Sequence, residues 1–274
     1  MAFLTGCAVP QPRGNGRLTH VIEPTTSRGY WLYLPQRYLD GSVKRSQAER
    51  WPLVVTFHGM SPFDTAGAQA REWEAEADRY NFIVVAPELR SLNVLSEFPV
   101  RHVHSAFAAD ERATLLIMEH VFETTRADRE HVLATSFSSG GYMAHYMLNR
   151  HPEAFTCLGV RQSNFSDSVL DETAAPASRT HPVLIVTTQN DLAICRRESM
   201  QAVDWYKRHN YTQLAWLSLK GLGHERTPDL VAAFFGRVSG QRPANRPTVL
   251  ARRQVEAGEF PSASFFAEAS GAGL

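Results

Sequence analysis

Two near-continuous apolar runs, Leu53-Val54-Val55-Thr56-Phe57 and Phe82-Ile83-Val84-Val85-Ala86-Pro87, leave no alternation that would give a strand a solvent-facing side. Strands of this kind must be covered on both faces, the condition of a parallel sheet between two helical layers. Further strand-length runs follow at His131 to Thr135, Thr156 to Val160, Pro182 to Thr187 and Gln213 to Leu219. Helical spacing marks Thr65 to Tyr80, where Ala66, Ala70, Trp73 and Ala77 form one stripe and Glu72, Glu74 and Glu76 fall mostly on the others. It recurs in Ala108 to Thr124, Ser138 to Asn149, Glu198 to His209 and Pro228 to Val238. Strands alternating with helices imply right-handed crossovers and a mostly parallel central sheet with helices on both faces. His20 to Glu23 and Tyr30 to Leu34 predict an antiparallel hairpin at the N-terminal edge of that sheet. The pattern predicts one α/β domain over residues 18–240, between an N-terminal tail, 1–17, and a C-terminal tail, 241–274. For the second tail, docking against the domain and a loose course both stay open.

Composition narrows the function classes. The 28 Lys and Arg balance 28 Asp and Glu over 274 residues, so no global basic field attracts a polyanion. With 43% hydrophobic residues, the chain has enough apolar surface for one sizeable core. No apolar run approaches the roughly 18 to 20 residues that cross a bilayer. A lipid tether is a separate matter, because Leu4-Thr5-Gly6-Cys7 resembles the lipobox of bacterial lipoproteins and Pro10 to Gly16 reads as a tether. What precedes Cys7 is too short for a secretory signal. Either a start lies upstream, with Cys7 lipidated and the protein on the cell envelope or secreted, or Gly6-Cys7 is chance and the cytoplasm is the location. Cys7, Cys157 and Cys195 have no metal-ligand spacing and make no disulfide framework; pairing of Cys157 with Cys195 and two separate core thiols both stay open.

The chemistry is concentrated in Val132 to Ala144, where a strand runs through Ser136-Phe137-Ser138-Ser139-Gly140-Gly141 directly into a helix. Small residues two before and two after Ser138 permit the sharp turn of a nucleophile elbow, which lifts a serine hydroxyl above the sheet. A serine hydroxyl needs a base to take its proton and a carboxylate to orient that base. In chain order the acid should follow the serine, and the histidine should follow the acid. Asp191 stands in a polar turn after the strand Pro182 to Thr187, and His224 stands in Gly221-Leu222-Gly223-His224 after the strand Gln213 to Leu219. Among the 11 histidines, His224 alone follows both the last strand and the candidate acid. A turn-forming role for Asp191 is the alternative, with Asp167 and Asp171 as fallback acids. After the strand Leu53 to Phe57, the His58-Gly59-Met60 segment places the Met60 N–H where, with the N–H of Ser139, it can hold an oxyanion.

With these segments the chain resembles the α/β-hydrolase superfamily, and within it the polyhydroxybutyrate-depolymerase and feruloyl-esterase-like group. The resemblance rests on Tyr30 to Pro35, Pro52 to Gly59, Ala75 to Glu88, Ala127-Asp128-Arg129, the elbow Ser136 to Ala144, His151 to Phe155 and Gly221 to His224. The chain departs from that group at Ser136, where glycine is commoner, and at Thr187 to Asp191, where relatives often carry His-Gly before the acid. The resemblance implies hydrolysis of a small-molecule or polymeric carboxylic ester through an acyl-enzyme, with no metal or organic cofactor and no nucleic-acid partner. A peptidase of the same fold and a catalytically inert, membrane-tethered binding protein are the rival readings. The segments Leu89 to Phe107, with Leu92, Leu95, Phe98 and Phe107, and Asn164 to Thr180 follow strand ends, where they either wall a substrate pocket or serve as plain connections.

Overall fold

The computed structural model describes residues 13–40, 49–91, 98–173, 179–244 and 255–257. Nine strands form one sheet in the order β1-β2-β4-β3-β5-β6-β7-β8-β9. β1 (Arg17–Ile22) pairs antiparallel with β2 (Gly29–Leu34), and β2 pairs antiparallel with β4 (Ile83–Pro87), which makes the expected edge hairpin. From β4 the sheet is parallel through β3 (Trp51–Phe57), β5 (Ala127–Phe137), β6 (Cys157–Arg161), β7 (Val183–Thr188) and β8 (Leu214–Leu219). β9 (Val255–Ala257) closes the far edge antiparallel to β8, so part of the C-terminal tail joins the sheet. The N-terminal tail is also held at its inner end, where Gly14 N–H donates to Glu74 and Gly16 N–H to the Tyr33 hydroxyl. Cys7 lies outside the described residues.

The two-sided core follows from the apolar runs. Leu53, Val55, Ile83, Val85 and Val132 face one layer, while Val54, Val84, Leu133 and Leu184 face the other. The first layer is built by α4 (Ser105–Thr124), α5 (Gly140–Arg150) and α7 (Ala193–Arg208), through Ile117, Met143 and Tyr206. The second comes from α3 (Glu74–Tyr80) and α8 (Pro228–Val238), with Phe82 between Tyr80, on which it stacks at 5.4 Å, and Phe235, which meets it tilted at 4.8 Å. Two short helices, α1 (Gln36–Leu39) and α6 (Asp167–Thr173), carry no strong periodic signal.

The helix expected over Thr65 to Tyr80 is two, α2 (Ala66–Glu72) and α3, because the chain tightens at Trp73, whose N–H turns back to Ala70 and Arg71. The expected stripe of Ala66, Ala70, Trp73 and Ala77 is buried. Glu72, Glu74 and Glu76 are buried as well, contrary to the expectation from their spacing. Glu72 pairs with Arg161 and Arg226 from other elements, and Glu76 with Arg79 one turn along the same helix, so ion pairs allow carboxylates on an inward face. α7 starts at Ala193, earlier than Glu198, with no side-chain cap at Leu192 to announce it. Cys157 and Cys195 are free, buried thiols.

Candidate active site

Ser138 stands between β5 and α5 at φ 55°, a left-handed conformation that costs a non-glycine residue about 1–3 kcal/mol. Its neighbours over-determine the turn: the Ser138 carbonyl accepts from Gly141 and Asn164 N–H, both at 3.0 Å. Asn164 is in turn anchored by its side-chain amide on the buried Glu198 carboxylate at 2.9 Å, which also accepts from the Tyr142 hydroxyl at 2.8 Å. Gly140 and Gly141 are required by close approach. A Cβ on Gly140 would lie 2.2 Å from the Phe57 carbonyl oxygen, and one on Gly141 2.2 Å from that of Asn164. Ser136, the departure from glycine, fits because its buried hydroxyl meets that of Ser163 at 2.9 Å, and Ser163 donates onward to the Arg161 carbonyl.

The loops after β7 and β8 are stitched together. Asn190 N–H donates to the Leu222 carbonyl, Gln189 N–H to that of Leu219, and the Thr188 hydroxyl to that of Gly223. This brings the Asp191 carboxylate to the His224 imidazole, Oδ1 to Nδ1 at 2.6 Å, with the same oxygen accepting the Leu192 N–H at 2.7 Å. The ring of His224 packs on Phe137 with centroids 4.5 Å apart. Ser138 and His224 line one cavity of about 190 Å³, whose walls include Met60, Phe63, Phe98, Phe137, Leu192 and Ile194. Asp167 and Asp171 are placed elsewhere: Asp167 accepts from Ser168 N–H and Asp171 from the Trp205 indole.

Met60 and Ser139 line the same cavity, and among the described residues neither backbone N–H has an acceptor within the protein. His58 sets the orientation of the first. Leu89 N–H donates to its Nε2, so Nδ1 carries the proton and donates to the Gly59 carbonyl at 2.7 Å. In a trans peptide the carbonyl and the following N–H point opposite ways, so pinning the Gly59 oxygen aims the Met60 N–H away from His58. Asp64 holds the other side of the same turn, accepting Gly59 N–H at 2.6 Å.

Asp64 belongs to a buried ion network that the sequence pattern did not reveal. Arg226, two residues after His224, bonds Asp64 at 2.5 Å and Glu72; Arg161, at the end of β6, also bonds Glu72. Burial works against the Arg226 cation, but the Glu72 and Asp64 carboxylates more than offset it, so it holds its proton more tightly than an ordinary guanidinium. The network ties the Gly59 turn to the His224 loop beneath the cavity. Nothing in the spacing of Asp64, Glu72, Arg161 and Arg226 marks them, since each reads as a surface charge until the fold brings them together.

Of the segments expected to border a pocket, Phe98 and Asn164 do so, whereas Phe107 packs in the core against Tyr146. Leu92 and Leu95 lie outside the described residues. Cys195 also lines the cavity, and its thiol is pushed well above its usual range by burial and by the Asp191 and Glu198 charges. Asp191, Cys195 and His224 form the one metal-like donor cluster among the described residues. Its imidazole Nδ1 already bonds Asp191 and its thiol resists ionisation, which suits proton handling better than ligation. His145, behind the elbow, is kept neutral by burial, its pKa pushed down to about 3, and it takes no part in the cavity.

Residues 29–203 match the family described as esterase PHB depolymerase. No curated protein matches the chain. Solved structures share the fold. A ferulic acid esterase from Anaeromyces mucronatus, solved with ferulic acid, superposes with a TM-score of 0.57 at 15% identity over 85% of this chain and 93% of that one. S-formylglutathione hydrolase from Staphylococcus aureus gives 0.56 at 15% over 85% and 99%, and a hyperthermophilic esterase from Pyrobaculum calidifontis 0.60 at 13% over 84% and 87%.

Proposed function

The chain belongs to the esterase PHB depolymerase family, and from that membership we propose that it is a serine esterase acting through an acyl-enzyme. The observation that carries the reading is the Asp191–His224 pair at 2.6 Å, opening on the cavity that also holds Ser138 at its strained elbow. In this mechanism His224 takes the Ser138 proton as the hydroxyl oxygen attacks the ester carbonyl, and the imidazolium that forms is stabilised by Asp191. The tetrahedral oxyanion accepts from the Met60 and Ser139 N–H groups. His224 then protonates the departing alkoxide, leaving an acyl group on Ser138. Water, deprotonated by His224, attacks that acyl group; the carboxylic acid leaves and Ser138 regains its proton. Because the Met60 and Ser139 donors are held by His58, Asp64 and the elbow before substrate arrives, they need no reorganisation at the moment of reaction.

Ser138→Ala should lower kcat on short p-nitrophenyl esters by at least about 10³-fold and abolish covalent labelling by a fluorophosphonate. Retention of either activity or labelling sinks the assignment. Absence of labelling in the unaltered protein supports the rival reading of an inert binder, and cleavage of peptide amides in preference to esters supports a peptidase. The lipobox-like Leu4 to Cys7 carries a proposal of its own, attachment to the cell envelope through lipidated Cys7. Mass spectrometry of the N-terminus of protein expressed from its native reading frame checks it, and an unmodified Cys7 rules it out.

A further inference from the structure

A second cavity, of about 570 Å³, opens on the other side of the turn that carries Met60. Asp64 lines both cavities, and His58 and Ser61 border the second, so the two adjoin across residues 58–64. Both lie at the C-terminal ends of parallel strands, the end of such a sheet where ligands bind. The small cavity around Ser138 is walled mainly by apolar side chains and has room for one short half of an ester. The other half must leave it.

The charges around the second cavity do not cancel. Arg28 is spoken for by Asp110 and the Glu88 carbonyl and Asp64 by Arg226, while the Glu88 carboxylate hydrogen-bonds the His20 ring at 2.9 Å and leaves one negative charge against two guanidinium groups. Arg71 and Arg90 remain. Among the described residues neither guanidinium has a carboxylate partner, and Arg71 instead lies over the Trp31 ring, 5.5 Å from its centroid. Trp31 and the exposed Ile22 supply an apolar wall beside these cations. The cation–π contact with Trp31 restrains the Arg71 side chain, so its planar fork loses less freedom when it meets a planar anion.

Resting on the esterase reading, we propose that this cavity is a subsite for a carboxylate carried by the substrate at the end remote from the scissile bond, held by Arg71 and Arg90 with Trp31 against the connecting carbons. A carboxylate there can come from the acyl half, in a monoester of a dicarboxylic acid, or from the alcohol half, in an ester of a hydroxycarboxylic acid. Each source has its own matched pair of substrates. For the acyl half these are the p-nitrophenyl esters of adipic and adipamic acids; for the alcohol half, the butyrate esters of a hydroxycarboxylic acid and of its amide, followed by pH-stat.

In one of the two pairs, kcat/KM for the acid should exceed that for the amide by about five- to tenfold, through KM. The double variant Arg71→Gln, Arg90→Gln should bring that ratio to about one, with each amide-terminated ester as the reference within its variant, and Arg129→Gln on a distant surface should keep the preference. Raising salt from about 0.05 to about 0.5 M should shrink the ratio in the unaltered protein. Ratios near or below one in both pairs, or a preference that survives the double variant, overturn the subsite while ester cleavage leaves the esterase reading standing. Cleavage of none of the four esters, together with absent fluorophosphonate labelling, overturns both.

Discussion

Arg226 carries the geometry of the site without touching the cavity around Ser138. It grips Asp64 and Glu72 at once, and through Asp64 it fixes the Gly59 N–H and hence the turn that presents Met60. Lysine supplies the charge but not the two-armed fork, so Arg226→Lys should keep the fold and lower kcat about tenfold with KM little changed. A change confined to KM would show that the network does not position the Met60 N–H for the proposed reaction. Arg226→Met leaves two buried carboxylates short of a partner and should lose about 3–5 kcal/mol of stability in urea melts. His58 belongs to the same mechanism: its Nδ1 proton is assigned by the two bonds it makes, and it is a positioning residue despite being too early in the chain to serve as the base.

The loops differ in how they are held, and the hairpin between β1 and β2 shows how a local device can do the work. Glu23 N–H donates to the Arg28 carbonyl, and the Glu23 carboxylate accepts from Thr25 N–H and from both the N–H and hydroxyl of Thr26. Burial alone would raise its pKa, but these donors outweigh burial and hold it at about 2. A carboxylate depressed on folding adds stability above its unfolded value, near 4.5, and loses it as pH falls through the folded one. Glu23→Gln should therefore lower Tm at pH 7, with the gap to the unaltered protein closing between about pH 4.5 and pH 2. A gap independent of pH would show that the charge does not hold the turn. The loops after β7 and β8 that carry Asp191 and His224 instead rely on long-range backbone bonds, such as Asn190 to Leu222, that exist only once the two strands are paired.

Taken together, the sheet is a platform packed on both faces whose parallel strand ends gather Ser138, Asp191 and His224 on one side. Both of its faces are covered by buried apolar clusters. Phe82→Ala, which removes a fully buried ring from between Tyr80 and Phe235, should cost about 3–5 kcal/mol in a denaturant melt; a loss below about 1 kcal/mol would show that the layer closes over the gap. The parallel sheet, its edge hairpin and the places of Ser138, Asp191 and His224 were legible because each rests on local pattern: an apolar run, a Ser-x-Gly turn, a polar turn after a strand. Glu72 misled for the same reason, since helical spacing ranks a carboxylate by its own polarity and cannot see Arg161 and Arg226 arriving from β6 and the His224 loop. β9 was illegible because three residues have no period, and their strand exists only by pairing with β8. Local order along the chain thus determined which residues stand at strand ends and in what succession. Tertiary structure alone decided which charges neutralise one another and which arginines, among the described residues, have no carboxylate partner, because ion pairing depends on distances between segments far apart in the chain.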